Sequence, residues 1–467
     1  MMPGLALFAL SLPAAVPTSA QPLVPVTRLT IRPAAEPCPA LKYLFLPELD
    51  EQTPGNAALV YARAIVVVME ARRTSQQQQR VDRLIEKPVR NLTPDEVKEM
   101  RGQYRGALRE LAIAARKARC DWGLDFRQEG FLLTFPEVQR LQHLVTPVAL
   151  EARAQMADGR LDDAFKTLQS GFALAVNTAK GATLIQGLVG MGIGIVCVNQ
   201  VEEFIQRPGA PNLYWALTAL PRPFIDLHRG LQGERVSIER TVPFLRDLEK
   251  QIRSPAEIRR DLLHAARLLA GVTGHTPPAG GQGEVTLAGW AMLAYPEAKR
   301  SLLAQGWSKG RVEAMPVLQV VAIEALHELR RRRDDLFKWS HLPYPAAREA
   351  LRRAERGLNG PHAGVSALPL ASYLPAIEKV LLNQARLDRK IAALRCIEAV
   401  RLYAADHGGR LPARLAEVRE VPVPLDPVTG KAFVYEAAGD KAALRAPDSG
   451  EWQNPSLVVN YELTLKR

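Results

Sequence analysis

From residue 376 to 406 apolar side chains return every three or four positions, at Val380, Leu387, Ile391, Leu394, Ile397 and Leu402, and the run stops at Gly408-Gly409. That spacing lines one face of a single α-helix about 45 Å long. Arg386, Asp388, Arg389, Lys390 and Arg395 fall between the apolar positions, which assigns them to the opposite, solvated face. The glycine pair ends the helix, because glycine accepts the left-handed backbone of a C-cap. Beyond it, Leu411-Pro412 turns the chain into a short helix near 413–418. Phe433-Val434-Tyr435 and Ala443-Leu444-Arg445 then read as strands joined at Gly439-Asp440, with a further strand in 457–465. A long helix with one oily face needs a cover, and the adjoining strands supply one; 376–467 is therefore predicted to be a small α+β domain.

The rest of the chain reads as helix. Aromatic residues make up only 6% of the 467 positions, few for a β-sandwich or propeller, while Ala, Leu and Arg are plentiful. Ala57, Val60, Ala64, Val67 and Val68 mark a helix over 56–73. Thr93-Pro94-Asp95-Glu96 is a helix start with N-cap, proline at the first turn and capping-box glutamate; that helix is predicted to run to about 119. Helical patterns over 150–157 and 161–175 flank Asp158-Gly159, with Ala164, Leu168, Phe172 and Ala175 on one side. Small and large apolar residues at these offsets resemble one helix–turn–helix unit of a tetratricopeptide-like repeat, which needs stacked neighbours to bury its face. Further helices are predicted over 255–270, 317–339 and 345–356, and Asn212 caps another before Pro221.

Residues 182–198 are continuously apolar and contain Gly187, Gly190, Gly192 and Gly194. No strand precedes them and the glycine spacing is wrong for a dinucleotide loop. A buried helix with small residues for close approach is the expectation. At the N-terminus, 5–15 is apolar and Thr18-Ser19-Ala20 offers small residues to a signal peptidase, although no Lys or Arg precedes the run. The domain plan is a signal peptide at 1–20, an extended Pro-rich leader at 21–55, a helical array over 56–356 with a flexible loop at 271–285, a linker at 357–375, and the α+β domain at 376–467. The mature chain is expected to carry no transmembrane span. Cys38, Cys120, Cys197 and Cys396 are too dispersed for thiolate metal ligation; an exported chain has room for one Cys38–Cys120 bridge.

The order of features after Tyr403 resembles the globular domain of the type II secretion major pseudopilin: Gly408-Gly409, Leu411-Pro412, Leu415, Glu417-Val418, Leu425-Asp426-Pro427, Gly430, Phe433, Tyr435, then Leu444, Pro447-Asp448 and Gly450. The resemblance implies a helix packed on a small antiparallel sheet, a loop shaped by Asp426 to Gly430, and a cell-envelope setting. The pseudopilin's apolar membrane helix and its peptidase site are missing, so polymerisation is not implied. Its calcium loop needs several oxygens, and only Asp448, Asp440 and Glu451 lie nearby. The whole chain is similar to exported bacterial multidomain proteins that join a helical region to such a module.

Chemistry is sparse. Glu324-x-x-His327 is half of a di-iron motif with no second copy. Asp226-x-His228 and Asp406-His407 are isolated pairs, and Cys120-Asp121-Trp122 has no nameable base. No Gly-x-Ser-x-Gly, Ser-x-x-Lys or phosphate-binding loop occurs. The formal charge is +12, yet the densest basic run, Arg330 to Arg333, meets Asp334-Asp335 at once and reads as a solvated helix face. The expected fold is mainly α: an irregular, tetratricopeptide-like helical array followed by a pseudopilin-like α+β domain. The expected function is a non-catalytic, exported or envelope protein acting through protein contacts. No catalytic, cofactor-binding or metal residue is assigned, no cofactor or nucleic acid is expected, and peripheral association with the envelope is compatible with the charge. The competing readings are an envelope hydrolase, with His143, His228, His264 or His327 converging on carboxylates, and a basic nucleic-acid binder.

Overall fold

A computed structural model describes residues 25–70, 74–100, 104–123, 136–273, 282–358, 377–449 and 457–466. The proposed signal peptide, the centre of the 271–285 loop, nearly all of the proposed linker and Glu451 lie outside them. The chain is mainly helical, with a small mixed sheet completed near its C-terminus.

In chain order the described elements begin with β1 (Thr27–Ile31), β2 (Thr53–Asn56), α1 (Ala57–Glu70), α2 (Ser75–Glu86), α3 (Pro94–Met100), α4 (Arg105–Ala115) and β3 (Lys117–Arg119). Next come α5 (Pro136–His143), α6 (Val145–Ala157), α7 (Leu161–Ala179), α8 (Leu184–Phe204), α9 (Tyr214–Thr218), α10 (His228–Thr241) and α11 (Phe244–Asp247). The remainder are α12 (Pro255–Thr273), α13 (Gln282–Ala304), α14 (Lys309–Ala314), α15 (Val317–Phe337), α16 (Tyr344–Leu358), α17 (Ile377–Asp406), β4 (Val434–Ala438), β5 (Lys441–Arg445) and β6 (Asn460–Leu465).

The local signals act as expected at several ends. The Thr93 hydroxyl accepts from the Glu96 N–H while the Glu96 carboxylate accepts from the Thr93 N–H, a closed capping box. Gly159 takes a φ of 76° between α6 and α7, where a side chain would be strained. The helix begun at Pro94, however, does not run to 119. It is described as α3 and α4, and 117–119 instead pairs with β2 in parallel.

The leader contains a further departure. Residues 27–31 form a strand lying parallel to β6, with Leu29 opposite Leu463 and Ile31 opposite Leu465. The sheet order is β1-β6-β5-β4, and the β4–β5 and β5–β6 pairs are antiparallel. Leu29 and Ile31 alternate with polar neighbours and are both buried, so a period-two signal was present among the prolines. The first described segment of the chain thus completes the sheet formed by its last.

One continuous core joins these parts. Phe45, Phe172, Phe204 and Phe224 from the helical region share it with Leu394, Ile397 and Val400 of α17 and with Leu444, Tyr461 and Leu463 of the sheet. A second core, including Leu248, Ile258, Leu302, Val320 and Leu326, lies in α12–α15 and the segments leading into them. α8 is the one described helix long and apolar enough to cross a membrane; here it packs against α6, α7 and α17 inside the main core.

Candidate functional site

The charges on α17 correct the sequence expectation most sharply. Arg386, Arg389, Lys390, Arg395, Glu398 and Arg401 are all buried. A buried charge survives only when paired and hydrogen-bonded, and Arg389, Lys390, Glu398 and Arg401 are. Arg389 donates from Nε and Nη2 to the two carboxylate oxygens of fully buried Asp426, at 2.7 and 2.9 Å. Asp426 also accepts from the backbone N–H groups of Val428 and Thr429 and from the Thr429 hydroxyl, closing the 426–430 loop on the helix. Lys390 reaches Glu202 of α8 at 3.0 Å and Asn199 at 2.6 Å, and the Tyr461 hydroxyl donates to the same Glu202. Arg401 pairs with Glu398 and donates to the carbonyls of Arg32 and Ala210. Arg389, Lys390 and Arg401 thereby join leader, helices and sheet in a structural seam.

The motif residues fall in separate places. Glu324 and His327 share a polar cluster on α15. The Glu324 carboxylate accepts from Gln305 and Arg331, while His327 Nε2 lies 3.3 Å from Glu249. Burial pushes Glu249 up, but the hydrogen bond from Arg330 and the charge of His327 outweigh it, and the carboxyl is held below its ordinary range. Arg330 forks onto Glu239 and also bonds Glu249, and Arg235 forks onto Asp334. The four-arginine run is therefore an ion-paired clip between α10, α15 and the residues after α11, rather than a free solvated face. His228 bonds Asp226 at 2.6 Å and its ring lies 5.3 Å from that of His341. His143 and His264 are exposed on α5 and α12, so the four histidines of the hydrolase reading stand on four helices.

Cys120 is buried, its thiol pushed up to about 12 by burial and bonded to the Asn177 carbonyl, which Trp122 also engages. It is not poised as a thiolate nucleophile. All four cysteines are free, Cys38 exposed and Cys120 buried, so the bridge allowed by the sequence is not formed. Among the described residues no three His, Cys, Asp or Glu side chains come together as a metal site.

The feature that sequence reading missed is a cleft of about 480 Å³ over the α6–α7 pair, walled on its far side by α4. Arg105 and Arg109 stand one turn apart on α4, Arg160 immediately precedes α7, and Lys166 lies in its second turn. Gln155, Thr167 and Ser170 line its interior. The Thr167 hydroxyl donates to the side-chain oxygen Oε1 of Gln155, and the Gln155 side-chain amide donates to Glu151. Arg160 is paired with Asp158 and Asp163. Arg105, Arg109 and Lys166 have no hydrogen-bonding or ion-pair acceptor among the described residues. The four-residue spacing of Arg105 and Arg109 was visible in the sequence, but only tertiary packing sets Lys166 across from them. Chemically the cleft offers cations, amide and hydroxyl groups and the single carboxylate of Glu151. No family model, no curated protein and no solved structure matches the chain.

Proposed function

We propose that the protein is a non-catalytic, exported or envelope-associated component that acts by holding a partner protein, with the cleft between α4, α6 and α7 as its contact surface. The observation that carries this reading is the cleft itself: three cations without acceptors among the described residues stand around a lining that includes Leu108, Gln155, Thr167 and Ser170. Helix pairs stacked side by side leave extended grooves of this kind, suited to a segment of another chain. The α6–α7 hairpin with Gly159 in its turn supports the tetratricopeptide-like reading of this region. The long α17, the Asp426 loop and the β4–β5 hairpin support the pseudopilin-like reading of the C-terminal part, and with it the envelope setting. Here the pseudopilin-like part is tied to the helices through buried ion pairs, which suits a fixed platform better than a polymerising subunit.

The test is a photo-cross-linking amino acid at position 112, an exposed cleft residue on α4, in the native cells. Adducts with a discrete envelope protein are expected there and not from exposed position 310 on α14. Equal adducts from both positions, or none from 112, would remove the cleft as the contact surface.

A further inference from the structure

We infer that the cleft recognises an extended acidic peptide, a refinement that rests on the partner-binding reading above. The cleft holds four cations, Arg105, Arg109, Arg160 and Lys166, against one lining carboxylate, Glu151. Arg160 is already answered by Asp158 and Asp163. The uncompensated charge therefore lies on α4 and at Lys166 opposite. Ionised donors of this kind bind carboxylates more strongly than neutral groups do, and arginine can hold both carboxylate oxygens at once.

Spacing narrows the ligand further. Residues four apart on a helix are separated by a rise of about 6 Å. Side chains two apart on an extended strand are about 6.6 Å apart and point the same way. In a run of three glutamates lying along α4, the first and third can thus reach Arg105 and Arg109, while the middle one points to Lys166 on the other wall. None of the lining residues is aromatic, so the cleft has no ring on which a nucleobase could stack. That absence disfavours a single-stranded nucleic acid as the polyanion.

The experiment uses the full chain and fluorescein-labelled, end-capped peptides read by anisotropy. One peptide carries three consecutive glutamates, one has glutamines in their place, and a short single-stranded DNA is the polyanion control. The glutamate peptide is expected to bind about tenfold more tightly than the glutamine peptide, with Arg109→Gln or Lys166→Gln each removing most of that margin. Both side chains are exposed, so these variants keep the fold. Equal binding of the glutamine peptide would overturn the acidic class. Tighter binding of the DNA would replace the peptide with a nucleic acid. Failure of every peptide while the cross-link at position 112 persists would sink this inference alone; loss of that cross-link would sink the parent reading.

Discussion

At the scale of single residues, the buried pairs on α17 are the sharpest determinants. Removing one member of a buried ion pair leaves the other uncompensated in a low-dielectric core, typically at a cost of about 3–5 kcal/mol. Arg389→Met is expected to lower stability by about that much, because Asp426 then keeps only its own loop donors. A urea titration reads this directly; a shift of under about 1 kcal/mol would mean that the pair is not what closes the 426–430 loop. Two half-buried carboxyls lack such a partner. Asp388 accepts the Phe224 N–H and Glu234 the Leu184 N–H, and burial pushes each up to about 7. Between roughly pH 4 and 7 the folded protein therefore retains protons that the unfolded chain has released, so stability falls as pH rises through that window. The melting temperature should drop from pH 5 to pH 8, and Asp388→Asn with Glu234→Gln should shrink the drop. An unchanged drop would assign it to other groups.

At the scale of elements, helix packing depends on where glycine meets backbone. A Cβ at Gly190 of α8 would lie 2.8 Å from the Ala175 carbonyl oxygen and 3.1 Å from the Ala179 Cβ of α7. At Gly289 on α13 it would meet nothing within 4 Å. The same substitution should therefore have opposite signs. Gly190→Ala is expected to destabilise by about 1–3 kcal/mol through overpacking. Gly289→Ala should stabilise by about 0.5–1 kcal/mol through helix propensity alone. Paired thermal melts decide it, and a stabilised Gly190→Ala protein would show that α7 and α8 are not in close contact. The glycines of 182–198 were legible as packing residues from the sequence; which of them touch a neighbour was not, since that depends on the crossing of two helices.

At the scale of the whole molecule, the chain closes on itself through β1 and β6, with Leu29 and Ile31 packed in the common core. Leu29→Asp is expected to speed amide hydrogen exchange at Tyr461 to Leu465, more than four hundred residues away, while leaving α12 and its separate core protected. Unaltered exchange in β6 would show that β1 is not needed for the sheet. Local periodicity and turn chemistry made most helices, the Gly408 stop and the β4–β5 hairpin readable in advance, because those signals act within a few residues. Helical spacing could also place Arg389, Lys390 and Arg401 on a common helix. It could not say whether that side of the helix meets water, because Asp426, Glu202 and the Arg32 carbonyl arrive from distant segments. The β1–β6 pairing and the facing of Arg105 and Arg109 by Lys166 are of the same kind: the residue types are local, but the free energy that positions them comes from contacts the chain makes only once it has folded.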